Sequence, residues 1–389
     1  MKTGYKSTAL SDQKHILIFI DWFLPGYKAG GPIQSIANLV ERLPYRFSIV
    51  TSIYDHHSDT PYDLPTNTWV IRNDRVRVKY FDTEGPSADD IRTIIAEDNY
   101  DSVYVNSLFS PKYALTPVRT IQKIKGAPKV ILAPRGMLKP GALSVKARKK
   151  KIFLATSKML GWFKGIRWHA TNDVEAAEVH QHFGKKVEVT VAPNLPRSAK
   201  KRERIPQKTA GEMKLITVAR VSKEKNILGG IEYLANFDGQ TIQWDVYGTM
   251  QDEAYLQACK EAAAALKTIS IDFKGEIPPS LIPEKFNDQH FFYLPTLGEN
   301  FGHAIAEALL SGVPVIISDM TPWQDLANTK AGWAVPLKDD PWKTTLTECL
   351  NMDHETYLHW TDGAYALGSS VANDETAITA NKRLFEHAG

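Results

Sequence analysis

The chain has 389 residues, 43% of them hydrophobic and 23% charged, which describes a folded protein and excludes a disordered one. A formal charge of +3 is too small to imply a nucleic-acid partner, and no apolar run reaches the roughly 20 residues of a membrane span. The two cysteines, Cys259 and Cys349, exclude a disulfide framework and lack metal-ligand spacing. The length suits two domains rather than one core. With no secretory pattern at the N-terminus, the expectation is a cytoplasmic protein.

The first half alternates apolar runs with amphipathic stretches. Residues 15–20 read as a buried strand ending at Asp21. Ile33, Ile36, Ala37 and Val40 predict a helix over 32–43. Strands follow at 47–51 and 75–80, a helix at 89–97, and strands at 102–106 and 129–133. Near residue 170, Asn172 or Asp173 suits a helix N-cap. Residues 193–213 carry Pro196, Pro206 and many cations with little apolar periodicity, and read as an interdomain linker. The rhythm restarts with strands at 214–218, 243–247, 269–274, 290–294 and 313–317. Helices are expected at 227–235, 252–265 and 302–310, and a final one at 374–387. Strand, helix, strand at this rhythm is an α/β pattern of parallel sheets covered on both faces. Ligands of such sheets lie beyond the carboxyl ends of the strands.

Two clusters fall at such strand ends. Leu297-Gly298-Glu299-Asn300-Phe301-Gly302 follows the strand at 290–294 and leads into a helix carrying Glu307. The glycines permit close backbone approach. The helix start, near Phe301 or Gly302, offers unpaired N–H groups to a diphosphate. A carboxylate one to two turns on can accept from ribose hydroxyls. Arg220 and Lys225 follow the strand at 214–218, where two cations could neutralise a leaving diphosphate. Taken alone, these residues read equally as a strand-to-helix turn and a solvated basic loop.

The segment from Glu299 to Glu307 resembles the glutamate–seven residues–glutamate motif of the retaining glycosyltransferases of family 4, and Ala308–Ile316 and Ala331-Gly332-Trp333 continue the likeness. The resemblance is to the bacterial surface-polysaccharide type. It implies the GT-B fold, two Rossmann-like α/β domains facing across a cleft. Residues 1–195 would be the acceptor domain, with a helix at about 374–389 packing back on it, and 196–373 the donor domain. It makes Glu299, Arg220 and Lys225 catalytic. Gly30, Gly31, Gly298, Asn300, Phe301, Gly302 and Glu307 would join them in binding the donor, Glu307 at the ribose. No cofactor or metal is implied, only a nucleotide-diphosphate sugar as co-substrate. The acceptor would be a saccharide or a polyprenyl-linked one.

Several positions depart from the family pattern. Arg135-Gly136 stands where many relatives have histidine-glycine, so Arg135 is expected to meet an anionic group on donor or acceptor. Asn226 replaces a usual glycine, Asn194-Leu195 an asparagine-glycine, and Gly248-Thr249 a glycine-x-glycine. Between Ser144 and Phe163, Arg148, Lys149, Lys150 and Lys151 mix with apolar residues. This stretch reads either as a helix packed on its own domain or as a basic helix on an anionic membrane, with Trp162 and Phe163 at the interface. Asp55, His56 and His57 are poorly spaced for one ion. A nucleotide-sugar-binding module without turnover, or a GT-B epimerase, would share most of these features.

Overall fold

The computed structural model describes residues 13–386 except Val145 and Ala199. The chain divides into two compact units, Met1–Leu195 with Glu375–Gly389, and Pro196–Asp374.

The first unit is built on eight strands: β1 (His15–Phe19), β2 (Arg46–Ser52), β3 (Trp69–Ile71), β4 (Val76–Phe81), β5 (Ser102–Val105), β6 (Lys129–Leu132), β7 (Arg167–Ala170) and β8 (Val189–Val191). They form one sheet in the order β3-β4-β2-β1-β5-β6-β7-β8. Neighbours are parallel, except that β3 pairs antiparallel with β4 at the edge. Alternation along each strand sends side chains to two cores. Ile16 and Ile18 of β1 enter one, with the helices Gly31–Arg42 and Glu375–Glu386. Leu17 and Phe19 enter the other, with the helix Ala88–Glu97. A strand buried on both faces needs a continuous apolar run, and 15–20 supplies it.

The second unit repeats the plan with β9 (Glu212–Val218), β10 (Thr241–Tyr247), β11 (Ile269–Gly275), β12 (Phe291–Leu294), β13 (Val315–Ser318) and β14 (Gly332–Val335). Their order is β11-β10-β9-β12-β13-β14, all parallel. Phe291 and Tyr293 face one core, Phe292 and Leu294 the other. In each unit the strand order reverses beside the first strand: β1 lies between β2 and β5, and β9 between β10 and β12.

The segment read as a linker is more structured than its composition suggests. Residues 212 and 213 belong to β9. Arg202 is buried and donates to the carbonyls of Phe286 at 3.2 Å and Gln289 at 2.8 Å and to the Tyr357 hydroxyl at 2.9 Å. The Lys208 ammonium is also buried. It binds the carbonyls of Leu350 at 3.0 Å and Met352 at 3.1 Å, closing the end of the helix Asp339–Asn351. Burial lowers the Lys208 pKa to about 8. Cations at a helix C-terminus satisfy carbonyls that the helix leaves open. At the other end of the chain, the helix Glu375–Glu386 buries Leu384 and Phe385 in the first unit, and Asn381 donates to the Pro193 carbonyl at 2.8 Å. His387, the last residue of the expected tail helix, lies outside the described residues.

His290, at the entry to β12, is held neutral. Its Nδ1 accepts from the Lys214 N–H at 3.1 Å, and its Nε2 faces the Gln207 carbonyl at 3.0 Å. Burial first, and then Lys208, Lys214 and Arg202, lower its pKa from 6.5 to about 4. Between those values the unfolded chain binds a proton that the folded chain refuses. The stability it contributes is therefore complete above about 6.5 and is lost as the pH falls through about 4. The urea midpoint should drop across that window, and His290→Gln should flatten the drop. Equal pH slopes for the two proteins would remove His290 as a cause.

Candidate functional site

Parallel pairing on both sides of β9 sends the chain away in opposite directions at the carboxyl end, which opens a crevice there. The loops after β9 and β12 border it. After β9 the Ala219 N–H donates to Tyr247 O at 2.9 Å and the Val221 N–H to Thr249 O at 2.9 Å, so Arg220 leaves a loop pinned to the end of β10. Gly248 makes this approach possible. A Cβ there would lie 1.9 Å from Ala219 O, and its φ of 147° disfavours any side chain.

A short turn, Lys223–Lys225, leads to Asn226, whose φ is 53°. The position needs left-handed backbone, which asparagine tolerates better than most non-glycine residues. This accounts for the departure from the family glycine. Asn226 also donates to Pro295 O at 3.0 Å and so joins the two loops. The loop after β12 is tied in turn. Leu297 N–H donates to Glu224 O at 2.7 Å, Ser318 Oγ to Thr296 O at 2.5 Å, and Glu299 N–H to Met320 O at 3.1 Å.

These ties bring Lys225 Nζ to 2.6 Å from Glu299 Oε1, with both side chains largely buried. Arg220 lies at the same strand end, half exposed, 3.3 Å from Glu224. A pair so exposed contributes about 0–1 kcal/mol and releases its arginine readily. Gly298, Asn300 and Phe301 share the Glu299 loop and are half-buried. Gly302, at φ 79°, is the N-cap of the helix His303–Leu310. The helix therefore starts after Phe301 and Gly302, because the left-handed glycine cannot belong to it. No side chain caps this helix and its first turn has no acid, so its N–H groups and positive dipole end suit an anion. Trp323 Nε1 donates to Phe301 O at 2.6 Å and fixes the entry. Glu307 lies in the second turn, 7% exposed. Burial raises its carboxyl pKa, against the opposing charge of Arg197.

Gly30, Gly31, Arg135 and Gly136 belong to the first unit. Gly30 has φ 67°, and no atom lies within 4 Å of a Cβ built on it or on Gly31, so the backbone is open to a ligand. Sequence reasoning missed what holds this loop. The buried Asp55 carboxylate accepts from the N–H groups of Tyr27 at 2.9 Å, Lys28 at 3.2 Å and His56 at 2.7 Å. Arg135, at φ 54°, donates to Asn106 at 2.6 Å, to Tyr104 Oη at 2.8 Å and to the Asn194 side chain. All three are neutral acceptors of its own unit, and they take three of the five N–H donors of the guanidinium. The Gly136 N–H donates to the fully buried Glu175 carboxylate at 2.5 Å, which also accepts from Thr171 N–H and Oγ. A cavity of about 660 Å³ opens at the carboxyl ends of β1, β2, β4, β5 and β6, lined among others by Asp21, Trp22, Asp82, Phe109, Tyr113 and Arg135. Among the described residues no group of three or more His, Cys, Asp or Glu is arranged to hold a metal, and both cysteines are buried free thiols.

The stretch between Ser144 and Phe163 is not one helix. The helix Pro140–Ser144 ends, Val145 lies outside the described residues, Lys146 turns at φ 53°, and a second helix spans Ala147–Met159. Phe163 is buried against Phe153, Trp168 and Phe183, and Trp162 packs on Phe153 under Arg119. Phe163 is thus a core residue, and Trp162 a half-buried one packed against that core. Ile152, Met159 and Leu160 are the exposed apolar residues, beside exposed Arg148, Lys149, Lys151 and Lys158.

Residues 199–366, within the second unit, match the family model described as Glycosyl transferases group 1. No curated protein sequence matches the chain. Solved structures resemble it along nearly its whole length. Sucrose-phosphate synthase from Thermosynechococcus elongatus has a TM-score of 0.67 at 15% identity, over 96% of this chain and 98% of that one. HepE from Anabaena, solved with UDP and glucose, has a TM-score of 0.66 at 15% identity with the same coverage. WaaG, a glycosyltransferase involved in lipopolysaccharide biosynthesis, has a TM-score of 0.58 at 12% identity, over 95% of this chain and 98% of that one. At such identities the likeness establishes the fold: the chain has the GT-B architecture of two Rossmann-like units, the second carrying a glycosyl transferases group 1 domain.

The geometry at Gly248 gives a direct check on the site's scaffold. Gly248→Ala must displace Ala219 and the loop bearing Arg220. It should destabilise the protein by about 1–3 kcal/mol, as overpacking does, measured as a lowered urea midpoint with unchanged slope. Unaltered stability would mean that this approach is not a constraint.

Proposed function

We propose that the protein is a retaining glycosyltransferase of the family 4 type that moves a sugar from a nucleotide-diphosphate sugar to a saccharide or lipid-linked saccharide acceptor in surface-polysaccharide synthesis. The observation that carries this reading is the Lys225–Glu299 pair at the reversal of strand order, with Glu307 buried on the adjoining uncapped helix. It stands inside the residues that match the glycosyl transferases group 1 model. HepE, solved with UDP-glucose, supports a sugar of this kind as donor.

In this reading the diphosphate lies at the start of the helix His303–Leu310 and takes Lys225 from Glu299, which turns to the donor sugar. Glu307 accepts from the ribose hydroxyls. As the glycosidic bond breaks, charge grows on the diphosphate, and Arg220 and Lys225 neutralise it without a metal. The acceptor hydroxyl attacks on the face that the diphosphate leaves, and a diphosphate oxygen takes its proton. The first unit presents the acceptor, and the reaction runs in the cytoplasm.

Glu307→Ala and Arg220→Ala separate these roles. Loss of Glu307 should weaken donor binding by about 1.5–3 kcal/mol, the range for a hydrogen bond to a charged group, as read by calorimetry. Loss of Arg220 should lower kcat more than it weakens donor binding, because its charge partner develops in the transition state. Wild-type donor affinity in the first variant and wild-type turnover in the second would defeat the assignment. Binding of nucleotide sugars without nucleotide release in the presence of any acceptor would defeat the transferase reading itself.

We also propose that the helix Ala147–Met159 rests on an anionic membrane. No helix among the described residues is long and apolar enough to cross one, so the contact would be peripheral. Ile152, Met159 and Leu160 would enter the interface and the cations would meet headgroups, each adding about 1 kcal/mol. The protein should then sediment with anionic vesicles at low salt and separate from them at high salt. Lys149→Glu with Lys151→Glu should abolish the binding without unfolding the chain. Failure of the unmodified protein to bind at low salt would leave the helix as a solvated one.

A further inference from the structure

The 660 Å³ cavity of the first unit falls in the range of about 300–1,000 Å³ typical of small-molecule sites. It lies where the strand order of that sheet reverses, between β1 and β5. Its chemistry is more telling than its size. Trp22, Tyr54 and Phe109 supply aromatic walls, while Asp21, Asp59 and Asp82 supply carboxylates. The two cations that line it make only neutral hydrogen bonds within the protein. Arg135 is held by Asn106, Asn194 and Tyr104, and Lys112 by the Thr83 carbonyl.

Asp21 stands at the tip of β1. Its Oδ1 accepts from Ser110 Oγ at 2.5 Å, and burial raises its pKa. A carboxylate short of solvent is served by any hydroxyl that donates to it. Close by, the Tyr113 hydroxyl is buried beside the Ser52 side chain, which hydrogen-bonds to it. Burial, then Asp21 and Asp82, push its pKa up and keep it a donor. Apolar ring faces beside hydrogen-bond acceptors suit a pyranose ring, with its C–H face and its hydroxyl edge. A phosphate or a carboxylate would meet three aspartates against one guanidinium and one ammonium, a lining with more negative than positive charge.

We propose that this cavity binds an uncharged, hydroxyl-rich saccharide as the acceptor, with Asp21 as the group that recognises its hydroxyls. The assignment rests on the transferase reading above and sharpens it, since it excludes uronates and sugar phosphates from the acceptor ring seated here.

Saturation-transfer NMR on the full chain tests binding without donor or turnover. The probes are a panel of methyl pyranosides, neutral hexosides and their 6-deoxy and 2-acetamido forms, against methyl uronides of the same configuration. At least one neutral glycoside should bind, and its uronide at least tenfold more weakly. Asp21→Asn should weaken the neutral ligand about tenfold or more, as loss of a charged hydrogen-bond acceptor does. Asp82→Asn, on a different strand end, should act in the same direction, which guards against a folding defect in the first variant. Preference for the uronide, or equal affinity of the wild-type and Asp21→Asn proteins for the neutral ligand, overturns the proposal. Nucleotide binding, followed separately by thermal shift, reports on the transferase reading alone, so the two can fail independently.

Discussion

Parallel pairing on both flanks of β9 is the constraint from which the candidate donor site follows. A strand hydrogen-bonded to β10 on one side and β12 on the other must release its two neighbouring connections in opposite directions. The gap this leaves is bordered by loop backbone with unspent polar groups. The chain closes it with short ties, Asn226 to Pro295 and Leu297 to Glu224, and these set the spacing of Lys225 and Glu299. The ion pair is a result of the sheet order, and its 2.6 Å separation is held from both sides by backbone hydrogen bonds.

The first unit solves the same problem with buried charge. Asp55 gathers three N–H groups of its loops, and Glu175 holds Gly136 and Thr171. The Tyr104 hydroxyl lies 2.7 Å from His169 Nδ1, His169 Nε2 lies 2.8 Å from Ala192 O, and Arg135 reaches Asn194. Charges placed this deep are costly unless every donor and acceptor is met, and they fix geometry more than they add stability. Here they fix the carboxyl ends of β1, β5 and β6 around one cavity.

Much of this was legible because it is local. A buried parallel strand needs an apolar run and a helix needs a 3.6 period, so β1, β2, β9 and their helices could be read from spacing alone. Glu299 and Glu307 stood out only through the family's fixed spacing across a strand-to-helix turn. What escaped was non-local or too short. β3 has three residues and exists by pairing with β4. Arg202 and Lys208 look like solvated linker cations until the carbonyls of residues far along the chain are brought to them. Phe163 and Trp162 look like membrane anchors until Phe183 and Arg119 cover them. The partners of Arg135 also lie far off, 29 and 59 residues away in sequence.

The first unit takes its last helix, Glu375–Glu386, from beyond the whole of the second. Synthesis therefore treats the two units unequally. The second is an uninterrupted segment, and every residue of its core has been made once the ribosome passes Asp374. The first has its sheet complete at β8 and must wait, with Tyr45 and Tyr104 uncovered, until Phe385 is made to pack against both. The unit that begins first is the one that finishes last, and its exposed aromatic face during that interval is where a holding chaperone would find something to bind.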